Sequence, residues 1–226
     1  VHPASGTPQG GIGSPVLANI YLHDVRDLGC EHRVRKGAEG DVYMMRFADD
    51  FVCAFQNAAE AGRFEKELRE RLGKFGLSVA EEKTRMLRFS RFKLEPNEAF
   101  EFLGFEFRWV KRRAGMAGVQ RRTSPKRLRS SVRAFTEWIK KTRCTRLSTT
   151  MATLRSKFNG YWNYYGVRGN MKMLNRFHRQ CRDLLYKWLN RRSQRRSCTW
   201  AELDAILRRF RVPGPHIVEL AGQRSF

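Results

Sequence analysis

The amino-acid sequence predicts an α+β fold, with an antiparallel sheet and packed helices over residues 1–110 and an all-α basic bundle over residues 111–226. In residues 1–110, short runs of β-branched and aromatic residues, typical of strands, alternate with a helical pattern. In residues 111–226, apolar residues recur only at helical spacing. The charge changes at the same place. Residues 1–110 contain 16 Lys and Arg against 17 Asp and Glu, while residues 111–226 contain 29 against 5. Two domains of different chemistry are therefore expected.

The chain opens with a Gly- and Pro-rich loop at residues 6–15, which leads into a predicted helix. Ser14 suits the N-cap and Pro15 suits the first helical position. The backbone at Gly10 and Gly11 can approach a bound molecule closely, because neither residue has a side chain. Such loops are common as plain turns, so this one is a weak signal by itself.

The next predicted element is a β-hairpin that carries two adjacent carboxylates at its tip. Residues 42–46 and 51–55 are rich in β-branched and aromatic residues, and they flank Phe47, Ala48, Asp49 and Asp50. Adjacent carboxylates oppose each other's ionisation unless a cation lies beside them. Carboxylate oxygens select Mg²⁺ or Mn²⁺, and a pair of such ions promotes phosphoryl transfer. The alternative is a structural turn, in which Asp is common for reasons unrelated to metal.

Three more elements are predicted before residue 110. A capping box at Asn57 and Glu60 begins an amphipathic helix that ends at Gly76. Residues 77–79 are predicted to form a short strand or extended segment. Residues 100–107 are predicted to form a further strand, with a bend at Gly104.

The second half is predicted to be a basic helical bundle. A Gly-containing linker with basic residues at both ends precedes four helices, which begin at Ser124, before Met151, near Asn170 and at the capping box of Thr199 and Glu202. Positive charge interleaved with aromatic residues indicates a nucleic-acid-binding surface. The alternatives are a membrane-binding surface and a solvated tail, but apolar periodicity disfavours a tail and the aromatic residues favour stacking.

Cysteine usage and hydropathy argue against other classes of protein. The five cysteines are widely spaced and form no C-x-x-C pair, so the sequence predicts neither a zinc site nor a disulfide framework, and it indicates a reducing compartment. Cys53 and Cys181 fall on apolar positions and are predicted core residues. No apolar run approaches the ~18 residues of a membrane span and no signal peptide is visible, so no membrane partner is expected.

Five blocks of sequence, in this order, resemble reverse transcriptases, specifically the reverse transcriptase/maturase family encoded by group II introns. The blocks are residues 6–22 (GTPQGGIGSPVLANIYL), 46–51 (RFADDF), 76–84 (GLSVAEEKT), 102–105 (FLGF) and, in the helical half, 160–166 (GYWNYYG) together with 190–194 (NRRSQ) and Trp200. The resemblance covers nearly the whole chain. It implies a right-hand polymerase palm followed by a thumb or maturase domain.

The resemblance also implies roles for individual residues. Asp49 and Asp50 would be catalytic and would bind Mg²⁺ or Mn²⁺. Lys83 would act as an acid on the pyrophosphate side, the alternative being a solvated lysine beside Glu81 and Glu82. Nucleotide and template would contact Gln9, Gly10, Gly11, Ser14, Pro15, Phe47 and Ala48, and the primer grip would contain Leu103 and Gly104. Nucleic acid would also contact Arg121, Arg122, Lys126, Arg127, Arg129, Arg191 and Arg192.

Two departures from the family pattern matter. Phe47 stands where the family usually has Tyr, which removes a hydroxyl next to the primer but no metal ligand. The fingers and the palm block with the third metal-binding Asp lie upstream of Gly6 in the family. We therefore expect a longer protein, and we expect this chain to be inactive by itself. The Cys-rich endonuclease of some relatives is not seen, so target cleavage is not implied.

The implied function is that of an RNA-directed DNA polymerase of a mobile group II intron, which also binds intron RNA to assist splicing. Its partners would be intron and template RNA, a DNA primer or target and dNTPs, in a cytoplasmic bacterial ribonucleoprotein. One alternative is an RNA-binding splicing cofactor without polymerase activity. Another is a domesticated or defence-associated reverse transcriptase.

Overall fold

The computed structural model describes residues 16, 19–20, 23, 37–48, 50–92, 98–111, 115–191 and 198–219. Over these residues the fold is α+β, as predicted. The strands are β1 (Val42–Phe47), β2 (Asp50–Phe55), β3 (Ala99–Phe102), β4 (Phe105–Lys111) and β5 (Ala117–Thr123), and the helices are α1 (Ala58–Lys74), α2 (Pro125–Thr142), α3 (Leu147–Tyr165), α4 (Met171–Leu189) and α5 (Trp200–Arg209).

The chain divides between Leu87 and Arg88 into two compact units. Strands β3 to β5 and helices α2 to α5 all lie in the second unit. The sequence predicts a polymerase palm over residues 1–110 and a helical thumb or maturase domain over residues 111–226. This division into functional domains stays a prediction.

The predicted hairpin of the first unit is confirmed. Strands β1 and β2 pair antiparallel over six residues each, from Val42 opposite Phe55 to Phe47 opposite Asp50. Alternate residues of β1 turn inward, as expected where one face of a strand is buried. The core of this unit is a row on α1, Phe64, Leu68 and Leu72, against which partly buried apolar residues of the hairpin pack.

At the start of α1, the predicted N-cap position is confirmed, but the predicted capping-box-like arrangement with Glu60 does not form. Asn57 is the N-cap residue, but its side chain makes no capping hydrogen bond. A carboxylate oxygen of Glu60 instead accepts a hydrogen bond from the backbone N–H of Glu39, 2.9 Å away, so this side chain ties the helix to the segment before β1. The helix ends before Gly76, which has a φ of 69°. Residues 77–79 form no strand, although Leu77 and Val79 pack against the core of this unit.

The second unit contains a three-stranded antiparallel sheet in the order β3-β4-β5. Two sequence predictions are corrected here. Residues 100–107 belong to two strands that are joined by a two-residue turn at Leu103 and Gly104, with φ values of 51° and 76°. Positive φ at both central residues is the signature of a type I′ hairpin turn. The predicted linker contains β5, because residues 117–123 pair with β4 along its whole length.

The four predicted helices of this unit are confirmed. The Ser124 hydroxyl accepts a hydrogen bond from the backbone N–H of Arg127 at the start of α2, and Thr199 and Glu202 form the predicted capping box of α5. Fully buried side chains fill the space between the helices, among them Ile139, Leu154, Trp162, Leu174, Cys181 and Leu203. Cys181 is therefore a core residue, as predicted, whereas Cys53 is partly buried. Among the described residues, no helix is long and apolar enough to cross a membrane.

Helices α2 and α4 pack together and begin at the same end of the bundle. Helix α2 follows Thr123 directly, and Asn170, which precedes α4, is hydrogen-bonded to Thr123. We call this end, with Leu103, Gly104, Thr123 and Asn170, the turn end. The other end, at the C-termini of α2 and α4, is the far end.

Candidate functional site

The acidic tip of the first hairpin has the geometry of a tight two-residue turn. Phe47 pairs with Asp50, so Ala48 and Asp49 form the connection, and Asp49 lies outside the described residues. Asp50 is exposed at the first position of β2. Ala48 has a φ of 54°, which is unfavourable for a residue with a Cβ. Strained backbone of this kind is found preferentially at functional sites.

One arginine supports the tip from within the same unit. The Arg46 guanidinium donates hydrogen bonds to the side-chain oxygen of Asn19, at 2.9 Å, and to the backbone carbonyl of Ala48, at 3.3 Å. It thereby links the strained residue to Asn19. On the opposite face of β1, Tyr43, Met45 and Phe47 are exposed. An apolar surface therefore runs along the hairpin up to the carboxylate of Asp50, since Phe47 and Asp50 are cross-strand partners.

The tip supplies oxygen donors of the kind that Mg²⁺ prefers, but few of them. Within the described part of the chain, no group of three or more His, Cys, Asp and Glu residues could hold a metal ion. Asp50 is one exposed carboxylate, and a carboxylate is the ligand through which proteins usually hold Mg²⁺. Asp50 fits this ion in chemistry, and a complete site would need further oxygen ligands.

Lys83 is not brought to the tip by any contact between described residues. It lies exposed at the end of a 3₁₀ turn, Glu81–Lys83, and its neighbour Glu81 forms a 3.0 Å ion pair with Arg69 of α1. A catalytic role for Lys83 stays a prediction. The predicted nucleotide-contact residues Gln9, Gly10, Gly11, Ser14 and Pro15 lie outside the described residues, as does Arg192.

The predicted primer-grip turn is held firmly to the helices of its own unit. The Tyr164 hydroxyl donates to the Leu103 carbonyl at 2.9 Å, and the Ser124 N–H donates to the Gly104 carbonyl at 3.0 Å. A Cβ on Gly104 would lie 3.0 Å from the Tyr165 hydroxyl and 3.3 Å from Cγ of Arg127. Only glycine therefore fits here without displacing a neighbour.

A buried asparagine joins three elements behind this turn. Asn170 is fully buried, and its side-chain oxygen accepts from the Thr123 N–H at 2.8 Å. Its amide nitrogen donates to the Thr123 hydroxyl and to the Tyr165 carbonyl, both at 2.8 Å. The end of β5, the end of α3 and the start of α4 are thereby fixed to one another.

The predicted nucleic-acid-binding residues separate into two groups. Arg121 forms a 2.8 Å ion pair with Glu219, and Arg122 forms a 2.6 Å ion pair with Glu106, so both already have structural partners. By contrast, Lys126, Arg127 and Arg129 are exposed on the first turns of α2, and no described residue forms an ion pair with them. Arg191 lies over the ring of Trp188. Nucleic-acid binding by all of these residues stays a prediction.

Sequence reasoning missed the roles of several residues at the turn end. Tyr164 belongs to the block at residues 160–166, but its bond to Leu103 spans 61 positions of sequence. Asn170 was assigned only as the start of a helix. Its position directly before an amphipathic helix, in a segment otherwise rich in Gly, was the available signal. Glu219 stands alone among basic and apolar residues, and nothing in the sequence indicates which of the many arginines it pairs with.

Comparison with known proteins bears on the first part of the chain. Residues 2–107 match the family model described as reverse transcriptase (RNA-dependent DNA polymerase). No curated protein matches. The matched residues contain both the acidic hairpin and the Leu103–Gly104 turn, and the match supports a reverse transcriptase domain in this part of the chain. Helices α2 to α5 lie beyond it.

Proposed function

We propose that this chain is part of the RNA-directed DNA polymerase of a mobile group II intron, and that its basic bundle binds primer–template and intron RNA and assists splicing. The observation that carries the proposal is the acidic hairpin, with its tight turn and exposed Asp50, inside the residues that match the reverse transcriptase model. The high positive charge of residues 111–226 supports nucleic-acid binding. A cytoplasmic ribonucleoprotein is the proposed setting.

Asp49 and Asp50 would hold Mg²⁺ or Mn²⁺ together with a further carboxylate, which in the family lies upstream of the block at Gly6. Bound metal would supply Lewis-acid activation of the primer 3′-hydroxyl and would stabilise charge on the leaving pyrophosphate. Arg46 would keep the tip in position through its bonds to Asn19 and to the Ala48 carbonyl. The exposed ring of Phe47, beside Asp50, would contact the primer end through apolar surface alone, since it has no hydroxyl.

The Leu103–Gly104 turn would contact the primer backbone, with the side chain of Arg127 directly beside it. Because the turn is bonded to α2 and α3, a primer held there is positioned by the helical bundle. Lys126 and Arg129, exposed on the same end of α2, would neutralise phosphates of the duplex.

The test is Mg²⁺-dependent primer extension on an RNA template by the full-length protein. Asp49→Asn and Asp50→Asn should reduce extension by 10²-fold or more, the scale expected when a group that stabilises the transition state is lost. Asp41→Asn is the matched control, since this exposed carboxylate lies at the other end of the same hairpin. Full activity of both tip variants, or equal loss in the control, would refute the proposed active site.

A second candidate function is an RNA-binding splicing cofactor without polymerase activity. The observation that favours it is the concentration of positive charge outside the residues that match the polymerase model. If the full-length protein binds intron RNA and promotes splicing but extends no primer under any divalent metal, this second function replaces the first.

A further inference from the structure

Three cationic side chains from two helices converge on one indole ring at the far end of the bundle. The charged groups of Lys140, Arg143 and Arg191 lie 5.8, 5.6 and 5.2 Å from the centre of the Trp188 ring. Each distance is within the range of a cation–π interaction. We call these four residues the Trp188 cluster. Lys140 and Arg143 come from the end of α2, and Arg191 follows the end of α4.

Little negative charge compensates the cluster. Glu137 forms a 3.1 Å ion pair with Lys140, and both side chains are substantially exposed. Three other acids of this half have partners elsewhere: Glu219 pairs with Arg121, Asp204 with Arg182, and Glu202 caps α5. The fifth acid, Asp183 on α4, is exposed and forms no ion pair with a described residue. Among the described residues, no carboxylate pairs with Arg143 or Arg191. Like charges gathered around one ring repel one another, so another interaction must offset this repulsion.

The simplest reason is the helix dipole, since cations stabilise the negative C-terminal end of a helix. That effect accounts for a cation at each helix end. It does not explain why three cations from two helices lie around the same ring. A cation anywhere near the last carbonyls of a helix stabilises that helix end, so the dipole does not require the cations to meet. An external polyanion would explain the convergence, because it compensates all three charges together.

The position of the cluster separates it from the primer-grip turn. Helix α2 begins beside Gly104 and ends at the cluster, and its 18 residues span about 27 Å at 1.5 Å per residue. That distance corresponds to about eight base pairs of duplex at 3.4 Å per pair. A nucleic acid bound only at the turn end would therefore not reach the cluster unless it ran along all of α2.

A second aromatic group at the end of α4, separate from the cluster, favours RNA with unpaired bases as the ligand. In the last turn of α4, Tyr186 stacks on Trp200 with ring centres 3.9 Å apart and planes 7° apart, and Trp200 is 42% exposed. Exposed aromatic rings beside cations are typical of sites where unpaired bases stack while the backbone is held by charge. Structured RNA presents such bases in loops and bulges, whereas a DNA duplex does not.

We propose that the Trp188 cluster binds the phosphate backbone of structured RNA, at a second site about one helix length from the primer-grip turn. The inference deepens the RNA-binding part of the proposed function and rests on it. Trp188 is a positioning residue here, because its ring holds the three cations in one place. Lys140, Arg143 and Arg191 contact the phosphates.

The test is RNA binding at several salt concentrations by the full-length protein, with an RNA stem-loop as the probe. The triple variant Lys140→Gln/Arg143→Gln/Arg191→Gln should reduce the slope of log K against log salt by about 2 to 3, at about 0.7–0.9 per lost phosphate contact. The matched control is Arg155→Gln/Lys157→Gln/Arg176→Gln, which removes the same charge from exposed positions of α3 and α4. In the control, the slope should change by less than one unit.

Equal losses in the two triple variants would show general charge attraction only and would overturn the proposal. A lower melting temperature with unchanged RNA affinity in the cluster variant would show a helix-dipole role only and would also overturn it. If the triple variant does not fold, the single variant Arg191→Gln replaces it, because this residue lies beyond the end of α4. Its expected loss of slope is about one unit.

Two further experiments determine whether the ligand is RNA or DNA and separate this inference from the polymerase proposal. A DNA duplex of the same sequence should show a smaller slope difference between wild type and cluster variant than the RNA stem-loop does, and an equal difference would overturn the assignment to RNA. Asp50→Asn should reduce primer extension by 10²-fold or more and leave stem-loop affinity unchanged. Cluster-dependent RNA binding in a protein that never extends a primer would sink the polymerase proposal while this inference stood.

Discussion

The hydroxyl of Tyr164, near the end of α3, donates a 2.9 Å hydrogen bond to the backbone carbonyl of Leu103. This bond joins a turn of the sheet to a helix that lies 61 positions later in the sequence. The Tyr164 ring also stacks on Phe105, the first residue of β4, with ring centres 5.7 Å apart. The turn that we propose as the primer grip therefore depends on the helical bundle for its position.

Replacing Tyr164 with Phe should test that dependence. The variant keeps the ring contact with Phe105 and loses only the hydrogen bond. The free energy of unfolding should therefore fall by about 0.5–1 kcal/mol. This is the lower part of the usual range for a hydrogen bond, because the bond is exposed to solvent. In the full-length protein, the KM for primer should rise more than kcat falls, since the turn binds primer and performs no chemistry. Tyr43→Phe is the control, because the hydroxyl of this exposed residue makes no hydrogen bond with a described residue. An unchanged primer KM would argue against the primer-grip role.

Gly104 and Gly115 form a matched pair for measuring steric cost. Both have positive φ, 76° and 75°, so alanine at either position should cost about 1–2 kcal/mol through the backbone. Around Gly115 no described residue lies within 4 Å of a new Cβ, whereas at Gly104 the Tyr165 hydroxyl is 3.0 Å away. Urea denaturation should therefore show a clearly larger loss for Gly104→Ala than for Gly115→Ala. Equal losses would mean that the helices do not confine the turn.

Asn170→Leu should be among the most destabilising single substitutions in the second unit. It removes three hydrogen bonds and leaves buried groups of Thr123 and the Tyr165 carbonyl without partners. At roughly 1–3 kcal/mol per unsatisfied buried group, the total should reach about 3 kcal/mol or more. Asn159→Leu, at an exposed position of α3, is the control and should change stability by less than about 0.5 kcal/mol. Denaturation monitored by tryptophan fluorescence would measure both.

Glu60 should make the first unit sensitive to acid. The pKa of its carboxyl is lowered from 4.5, mainly because the backbone N–H of Glu39 donates to it. A carboxyl whose pKa is lower in the folded state stabilises the fold above its unfolded pKa, and this contribution is lost as pH falls through the folded pKa. Glu60→Gln should therefore be less stable than wild type at pH 7, and the difference should shrink below pH 4.5. Glu67→Gln, on the exposed face of the same helix, is the control and should change stability by less than about 0.5 kcal/mol at pH 7.

Local patterns in the sequence were sufficient for the acidic hairpin and the helices. Residues 42–55 combine strand-forming runs with a short acidic turn, and both strands form in the expected places. The Thr199 and Glu202 capping box also forms as predicted, because its hydrogen bonds join residues three positions apart. For α1, by contrast, the partner of Glu60 is Glu39, 21 positions away, and the predicted local cap does not form.

The sheet of the second unit was the main error, and its cause is tertiary. Residues 117–123 contain Gly118, Arg121 and Arg122, a composition that favours a loop. They form β5 because β4 offers a complete row of hydrogen-bonding partners and Glu106 forms an ion pair with Arg122 across the strands. The turn at Leu103 was missed for a related reason, since a leucine at positive φ is unfavourable locally and is imposed by the pairing of Phe102 with Phe105.

By itself, the sequence determined the α+β class, the acidic hairpin, the existence of each confirmed helix and the concentration of positive charge in the second half. These features depend on residue type and on contacts between near neighbours. Only the tertiary structure decided that Arg121 and Arg122 are held in ion pairs, that Asn170 joins three elements, and that three cations meet at Trp188. Each of these depends on packing that brings together residues far apart in the chain, and spacing along the sequence carries no record of that packing.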